Sequence, residues 1–348
     1  MENEKPRLLW ADLLRIISMA GIVLMHTSAD YWDAYPVSSP QWLTMNFYDA
    51  AVRWSLPMFV MISGMFFLNP QKEISIKKIF DKYISRLLLV FFGWSLFYAI
   101  LVTIKNMPQQ TDTVTFIGML ISGYLHMWFL YMIMGLYIIT PILRKFTEDD
   151  KISKYFVALC FVFSMAIPFI LSFWGDSVYD SVLGETCFYF PMGFTGLFVW
   201  GHYLNKHAAQ WTHKKAAALY IAGAASILIT MAGNAAVSLI SGEASELFFV
   251  HTSPFHFIAA SAIFVFFRRA DWSKFEKYQQ LTVNLSKLTL GVYLAHIAML
   301  GIVKKLSIHF MAGNLYFINI PLAALLVIAM SFAAVYVMKK IPFLRKLV

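Results

Sequence analysis

Three ionisable residues stand in the first apolar stretch of this chain, WADLLRIISMAGIVLMH: Asp12, Arg15 and His26. Ionisable side chains inside a membrane-spanning helix are costly, so they face a bundle interior or a cavity. Arg15 and His26 are eleven residues apart. Eleven residues make three full helical turns, so both point the same way, roughly 16 Å apart along the axis. Asp12, three residues before Arg15, shares that face and is within ion-pair reach. One stripe thus carries a cationic fork near one side of the membrane and an acid–base imidazole nearer the other. Either the Asp12–Arg15 pair locks helices together and His26 is a hydrogen-bonded core residue, or the stripe belongs to a site.

The elements that must position this stripe follow from composition. The 348 residues are 59% hydrophobic and 14% charged. A soluble protein runs at roughly 45–50% apolar and about 25% charged. A soluble domain and a disordered chain are both excluded. A spanning helix needs roughly 20 apolar residues, and runs cut at charged or turn-rich segments give ten candidates: 9–28, 50–68, 85–104, 127–144, 155–174, 186–205, 216–240, 252–268, 288–303 and 316–338. Backbone groups in lipid must be satisfied internally, so these runs are helices. The apolar segment 113–125 is too short to span and reads as re-entrant or interfacial. The expected fold is all-α and polytopic, a single membrane domain over 1–348 with no separate soluble domain. The first run contains Asp12 and Arg15 and no small-residue cleavage site, so it reads as a retained span. Cys160 and Cys187 lie in apolar context and form no disulfide or metal pattern.

The net charge of +9 is distributed by side. Lys5 and Arg7; Lys72, Lys77, Lys78, Lys82 and Arg86; Arg144, Lys145, Lys151 and Lys154; Lys206, Lys214 and Lys215; Arg268, Arg269, Lys274, Lys277 and Lys287; and Lys339, Lys340, Arg345 and Lys346 fall on alternate connections. The intervening loops carry only Lys105, Lys304 and Lys305, and are otherwise acidic, with Asp30, Asp33, Asp49, Asp112, Asp176, Asp180, Glu185, Glu243 and Glu246. The positive-inside rule then puts both termini in the cytoplasm, Arg15 toward the inner face and His26 toward the outer half. Topology accounts for the basic surplus, and nucleic acid is not an expected partner.

Four segments in order carry a family resemblance. They are Arg15-x10-His26; Arg53-Trp54-Ser55-Leu56-Pro57-Met58-Phe59 with Ile62-Ser63-Gly64; His126-Met127-Trp128-Phe129-Leu130-Tyr131 continuing through Gly135, Tyr137 and Pro141; and Leu290-Gly291-Val292-Tyr293-Leu294-Ala295-His296. The chain resembles the acyltransferase-3 family of polytopic membrane O-acyltransferases over nearly its whole length. That family's basic motif often has two arginines three apart. Here only Arg86 matches, and Lys82 is displaced by one residue, which weakens a carried-over phosphate clamp because Lys does not replace Arg bidentately.

The resemblance implies transfer of an acyl group, commonly acetyl, from cytoplasmic acyl-CoA to a hydroxyl of a cell-surface glycan or its lipid-linked precursor, in a bacterial cytoplasmic membrane. No tightly bound cofactor is implied; acyl-CoA is the donor substrate. Arg15, Arg86 and Lys82 would meet the polyanionic donor, Arg15 by bidentate phosphate contact. A sugar hydroxyl needs a general base, and a neutral imidazole suits it. His26 is that candidate, as a base or as a transient acyl carrier. Asp30, four residues on, either orients the imidazole, binds sugar hydroxyls or is a solvated loop acid. His126, Trp128 and Tyr131 open the fourth span on the acceptor side, where Trp also serves as an interfacial belt residue. Tyr293 and His296 share a face and read as a hydrogen-bonded supporting pair. Glu185 is an acceptor-side candidate or a plain loop acid. Ser63-Gly64 reads as small-residue helix packing before it reads as a nucleophile. The competing class is a transporter or flippase for a polar or glycosylated solute, with Asp12, Arg15 and His26 as a coupling relay. The lack of an inverted repeat counts against it.

Overall fold

A computed structural model describes residues 8–105, 112–174, 192–305 and 315–348. Among them all regular structure is helical. The helices are α1 (Leu9–Ser28), α2 (Pro40–Val52), α3 (Ser55–Phe67), α4 (Ile76–Lys78), α5 (Ser85–Lys105), α6 (Thr113–Ser122), α7 (Trp128–Phe146), α8 (Asp150–Phe161), α9 (Ile167–Leu171), α10 (Met192–His207), α11 (His213–Ser241), α12 (Pro254–Arg269), α13 (Gln279–Ser286), α14 (Thr289–Lys305) and α15 (Tyr316–Lys340). Seven stretches are long and apolar enough to cross a membrane: Leu9–Tyr31, Pro40–Phe67, Ile76–Lys105, Trp128–Phe146, Asp150–Leu171, His213–Ser241 and Tyr316–Lys340. An eighth is added if Ser273–Ser286 and Thr289–Lys305, bent by 60° at their junction, count as one span. Where they are described, the expected runs fall on helices, but α10 and α12 have only 16 residues each. The chain is a multi-pass helical membrane protein, and the count of ten is not reached among the described residues.

Helix starts follow local chemistry. Ser39 accepts from the Trp42 amide at 3.2 Å with Pro40 as the first helical residue, and Asp112 caps α6 by accepting from Thr115 at 2.7 Å. Such side chains satisfy amides that have no intrahelical partner. Gly242 stops α11 in the left-handed conformation, φ 75°, which costs glycine nothing.

One span departs from expectation in a way that matters. Hydropathy sets the second span at 50–68 and leaves Asp49 in an outer loop. The helix starts ten residues earlier, at Pro40, so Arg53 and Asp49 lie in the middle of Pro40–Phe67. Helix α2 gives way to α3 at Arg53–Trp54. Pro57 explains the break: it has no N–H to give the Arg53 carbonyl, and its ring crowds that carbonyl.

Two apolar cores stack along α1. One contains Trp10 and Leu14 with Met58, Met61, Phe67, Phe198 and Phe264. The other contains Met19, Ile22 and Val23 with Trp42, Phe91, Trp94, Val292 and Leu294. Helices α3 and α10 meet backbone to backbone: a methyl on Gly64 would overlap the Phe198 carbonyl, and one on Gly201 would overlap that of Met61. Small residues let helices approach this closely in lipid. Gly64 therefore does packing work, and Ser63 beside it is hydrogen-bonded with Tyr137.

Candidate functional site

At the basic end of α1, Asp12 is almost fully buried and its carboxylate accepts the Ser286 hydroxyl at 2.6 Å. Arg15 lies 3.4 Å from the same carboxylate, with 30% of its side chain exposed. Its guanidinium covers the Phe66 ring at 4.7 Å. The neighbourhood is aromatic and cationic. Tyr137 stacks on Phe67 with centroids 3.8 Å apart, and Tyr83 meets Phe67 edge-on. Arg144 donates to the Phe67 carbonyl at 3.1 Å. Lys72, in the turn after α3, is partly buried; that burial first, then the charges of Lys78, Arg15, Lys82 and Arg144, push its pKa below the usual lysine value. Like charges gathered around a partly buried ammonium destabilise one another, and an anion relieves that repulsion. A cavity of about 440 Å³ adjoins this end, lined in part by Arg144, His202, Asn205 and Lys206.

Lys82 and Arg86 are exposed. Lys82 belongs to a π-helical turn, Ile79–Ile84, just before α5. Lys82 contributes its charge at Lys72, whereas Arg86 starts α5 on the surface.

At the other end of α1, three imidazoles meet, from α1, from α14 and from the turn just before α7. His26 and His296 have ring centroids 5.1 Å apart, and His296 and His126 are 5.2 Å apart. His296 and His126 are buried, whereas His26 retains partial exposure. Their geometry is set by backbone contacts. His296 Nδ1 is held by the Tyr293 carbonyl one turn earlier, Tyr293 Oη donates to the His126 carbonyl, and Tyr98 Oη donates to the Leu294 carbonyl at 2.6 Å. His296 Nε2 is buried and has no hydrogen-bond partner among the described residues. Among the described residues no group of three His, Cys, Asp or Glu is placed to hold a metal ion.

Within electrostatic range of His26 opens a cavity of about 500 Å³ lined by Arg53, Trp128, Phe194, Glu246, Phe249, Val250, His251 and Thr252. His251 stacks on Trp128 with centroids 4.8 Å apart. Desolvation, and secondarily the charge of Arg53, push the His251 pKa down to about 4, so it is neutral near pH 7. Arg53 and His251 are both within electrostatic range of His26. Arg53 Nε and Nη2 donate to the two oxygens of buried Asp49 at 2.5 and 2.8 Å. Arg53 Nη1 donates to the Phe249 carbonyl at 2.9 Å, and the guanidinium lies 4.3 Å from the Phe249 ring centroid. That turn is itself pinned: Asn234 Oδ1 accepts from the Phe248 amide at 3.4 Å, and Asn234 Nδ2 donates to Asn46 at 3.0 Å.

The remaining candidates fall differently. Asp30 is bound by Lys304 at 2.9 Å, with no hydrogen bond to the His26 ring. Tyr131 is exposed; its hydroxyl donates to the Ile121 carbonyl on α6 and its ring packs on Phe91, so it joins helices rather than facing the imidazoles. Glu185 lies outside the described residues. The structure adds Arg53, Asp49, His251, Tyr98, Lys72 and Arg144. The sequence signal for Arg53 is a cation in an apolar run, within the second of the four motif segments.

A family model described as an acyltransferase domain, Acyl_transf_3, matches residues 8–339. No curated protein and no solved structure matches the chain.

Proposed function

The chain belongs to the acyltransferase-3 family, and we propose that it moves an acyl group, acetyl first among them, from cytoplasmic acyl-CoA to a hydroxyl of a cell-surface glycan or its lipid-linked precursor, in the bacterial cytoplasmic membrane. One observation carries this reading. A single helix has the cation–aromatic cluster of Arg15, Lys72, Arg144 and Phe66 at one end and the imidazoles of His26, His296 and His126 at the other. An anionic donor and a neutral hydroxyl acceptor need those two environments, separated across a membrane.

In this reading the basic end faces the cytoplasm. Arg15 takes the donor's phosphates through N–H groups that Asp12 orients. The thioester extends along α1 to His26, where the acceptor hydroxyl gives up its proton as it attacks. Burial of His296 against Tyr293 and His126 keeps the base in a fixed, water-poor setting. Trp128 and His251 offer the acceptor a flat aromatic wall of the kind that sugar rings lie against. The test uses purified protein in proteoliposomes made with total lipid extract of the source cells. Acetyl-CoA should lose its thioester and label the glycan fraction, and His26→Ala should abolish both while acetyl-CoA still binds. Thioester loss unchanged in His26→Ala refutes the assignment of the base. Movement of a lipid-linked solute across liposomes with no thioester loss would make the protein a transporter.

A further inference from the structure

Arg53 is a charged residue at the middle of a membrane-spanning stretch, a position so costly that an intramembrane cation is a functional candidate by default. Its geometry exceeds what a helix-locking ion pair needs. The guanidinium has five N–H groups. Nε–H and one Nη2–H go to Asp49, and one Nη1–H goes to the Phe249 carbonyl. Those three bonds and the Phe249 ring fix the plane of the group. Among the described residues one N–H on each terminal nitrogen is left over, and Arg53 lines an open cavity within electrostatic range of His26. It also acts electrostatically on His26. The charge is neutralised overall by Asp49, which is 1% exposed, and the Arg53 side chain is itself only 10% exposed, so what the cavity receives is a pair of oriented donors on a nearly buried group. The helix break that Pro57 imposes at Arg53–Trp54 delivers the side chain there.

Resting on the acyltransferase reading above, we propose that Arg53 is a catalytic residue: it donates hydrogen bonds to the oxygen that becomes negative when the acceptor hydroxyl attacks the thioester carbonyl. The electron balance is closed by groups already named. The hydroxyl oxygen bonds to the carbonyl carbon and its proton passes to His26. The carbonyl π pair moves onto oxygen, where Arg53 stabilises it. On collapse the C–S bond breaks, and the CoA thiolate leaves with the proton from His26. Donors held rigidly toward developing charge accelerate such steps more than flexible ones do, because nothing reorganises during the reaction. Asp49 is then a positioning residue that acts through Arg53, and the Asn46–Asn234 pair supports the turn bearing Phe249.

The experiment measures CoA thiol release from acetyl-CoA in proteoliposomes containing total lipid extract of the source cells. It compares the wild type, Arg53→Lys and Arg53→Ala, and the melting temperature of each is recorded. Arg53→Lys keeps the charge and cannot reproduce the fork. Its kcat should fall about 100-fold or more, the usual effect of removing such a donor, with the KM for acetyl-CoA within about threefold and the melting temperature unchanged. Arg53→Ala should recover activity with added guanidinium chloride and not with sodium chloride at equal ionic strength, since the cavity admits the free cation. A kcat within threefold of wild type in Arg53→Lys overturns the inference. So does a loss that follows the melting temperature and is not rescued by guanidinium, which marks Arg53 as a structural ion pair only. If the wild type itself binds acetyl-CoA and releases no thiol, the acyltransferase reading falls and takes this inference with it.

Discussion

Replacing Arg15 by lysine separates a phosphate clamp from a structural ion pair. The change keeps one positive charge at the same place, so long-range attraction for an anionic donor is preserved. What is lost is specific. The planar fork lets one N–H face Asp12, 3.4 Å away, while others face the ligand, and lysine cannot do both. One charge-assisted hydrogen bond to phosphate is worth about 1.5–3 kcal/mol. The cation–π contact with Phe66, 4.7 Å from the guanidinium carbon, adds about 0.5–1 kcal/mol at a partly exposed site. An ammonium recovers about 1 kcal/mol through a single remaining contact. The net loss is about 1–3 kcal/mol, or roughly a 5–150-fold rise in Kd for acetyl-CoA. Isothermal titration in nanodiscs reads it directly. Lys82→Ala is the internal comparison: that side chain is exposed, so its removal should cost about 0.2–1 kcal/mol and the effect should vanish in high salt. An Arg15→Lys variant with Kd within twofold of wild type refutes the clamp and leaves Arg15 as a partner of Asp12 alone.

Three further outcomes follow. Acetyl-CoA affinity should fall as pH rises from about 7 to 10, because Lys72 binds an anion only as the ammonium and its pKa is held below the usual lysine value; the slope should disappear in Lys72→Met, and a slope unchanged in that variant would assign the titration elsewhere. Arg53→Gln should raise the His251 pKa from about 4 while leaving it under the ordinary histidine value, since desolvation is the larger cause and the Arg53 charge the smaller; histidine NMR titration reads the shift, and an unmoved value would break the link between the two residues. Gly64→Ala should destabilise the fold by about 1–3 kcal/mol, the usual cost of overpacking, because its methyl would meet the Phe198 carbonyl; a melting temperature equal to wild type would show that α3 and α10 can separate without cost.

The sequence by itself determined the class of molecule. An apolar fraction of 59% with 14% charge excludes a soluble fold, and continuous apolar runs of about twenty residues satisfy their backbone in lipid as helices, because barrel strands are shorter and alternate. The eleven-residue step from Arg15 to His26 was also legible, because within one helix spacing fixes direction. What spacing cannot fix is which helices stand next to each other. His26, His126 and His296 lie on three distant segments, and only packing brings their rings to about 5 Å. Asp30, by its spacing from His26, and Tyr131, by its place in the motif that opens the fourth span, are site candidates, yet they pair with Lys304 and Ile121, since the nearest partner in space is on another element. Arg53 turned on a boundary. Read from hydropathy, its span began at residue 50; the polar residues Thr44, Asn46 and Asp49 lower the apolar signal there, yet all three are buried against neighbouring helices. Hydropathy measures what a residue is, and burial depends on what the rest of the chain puts beside it, so the centre of a span and the partner of a charge were decided only in three dimensions.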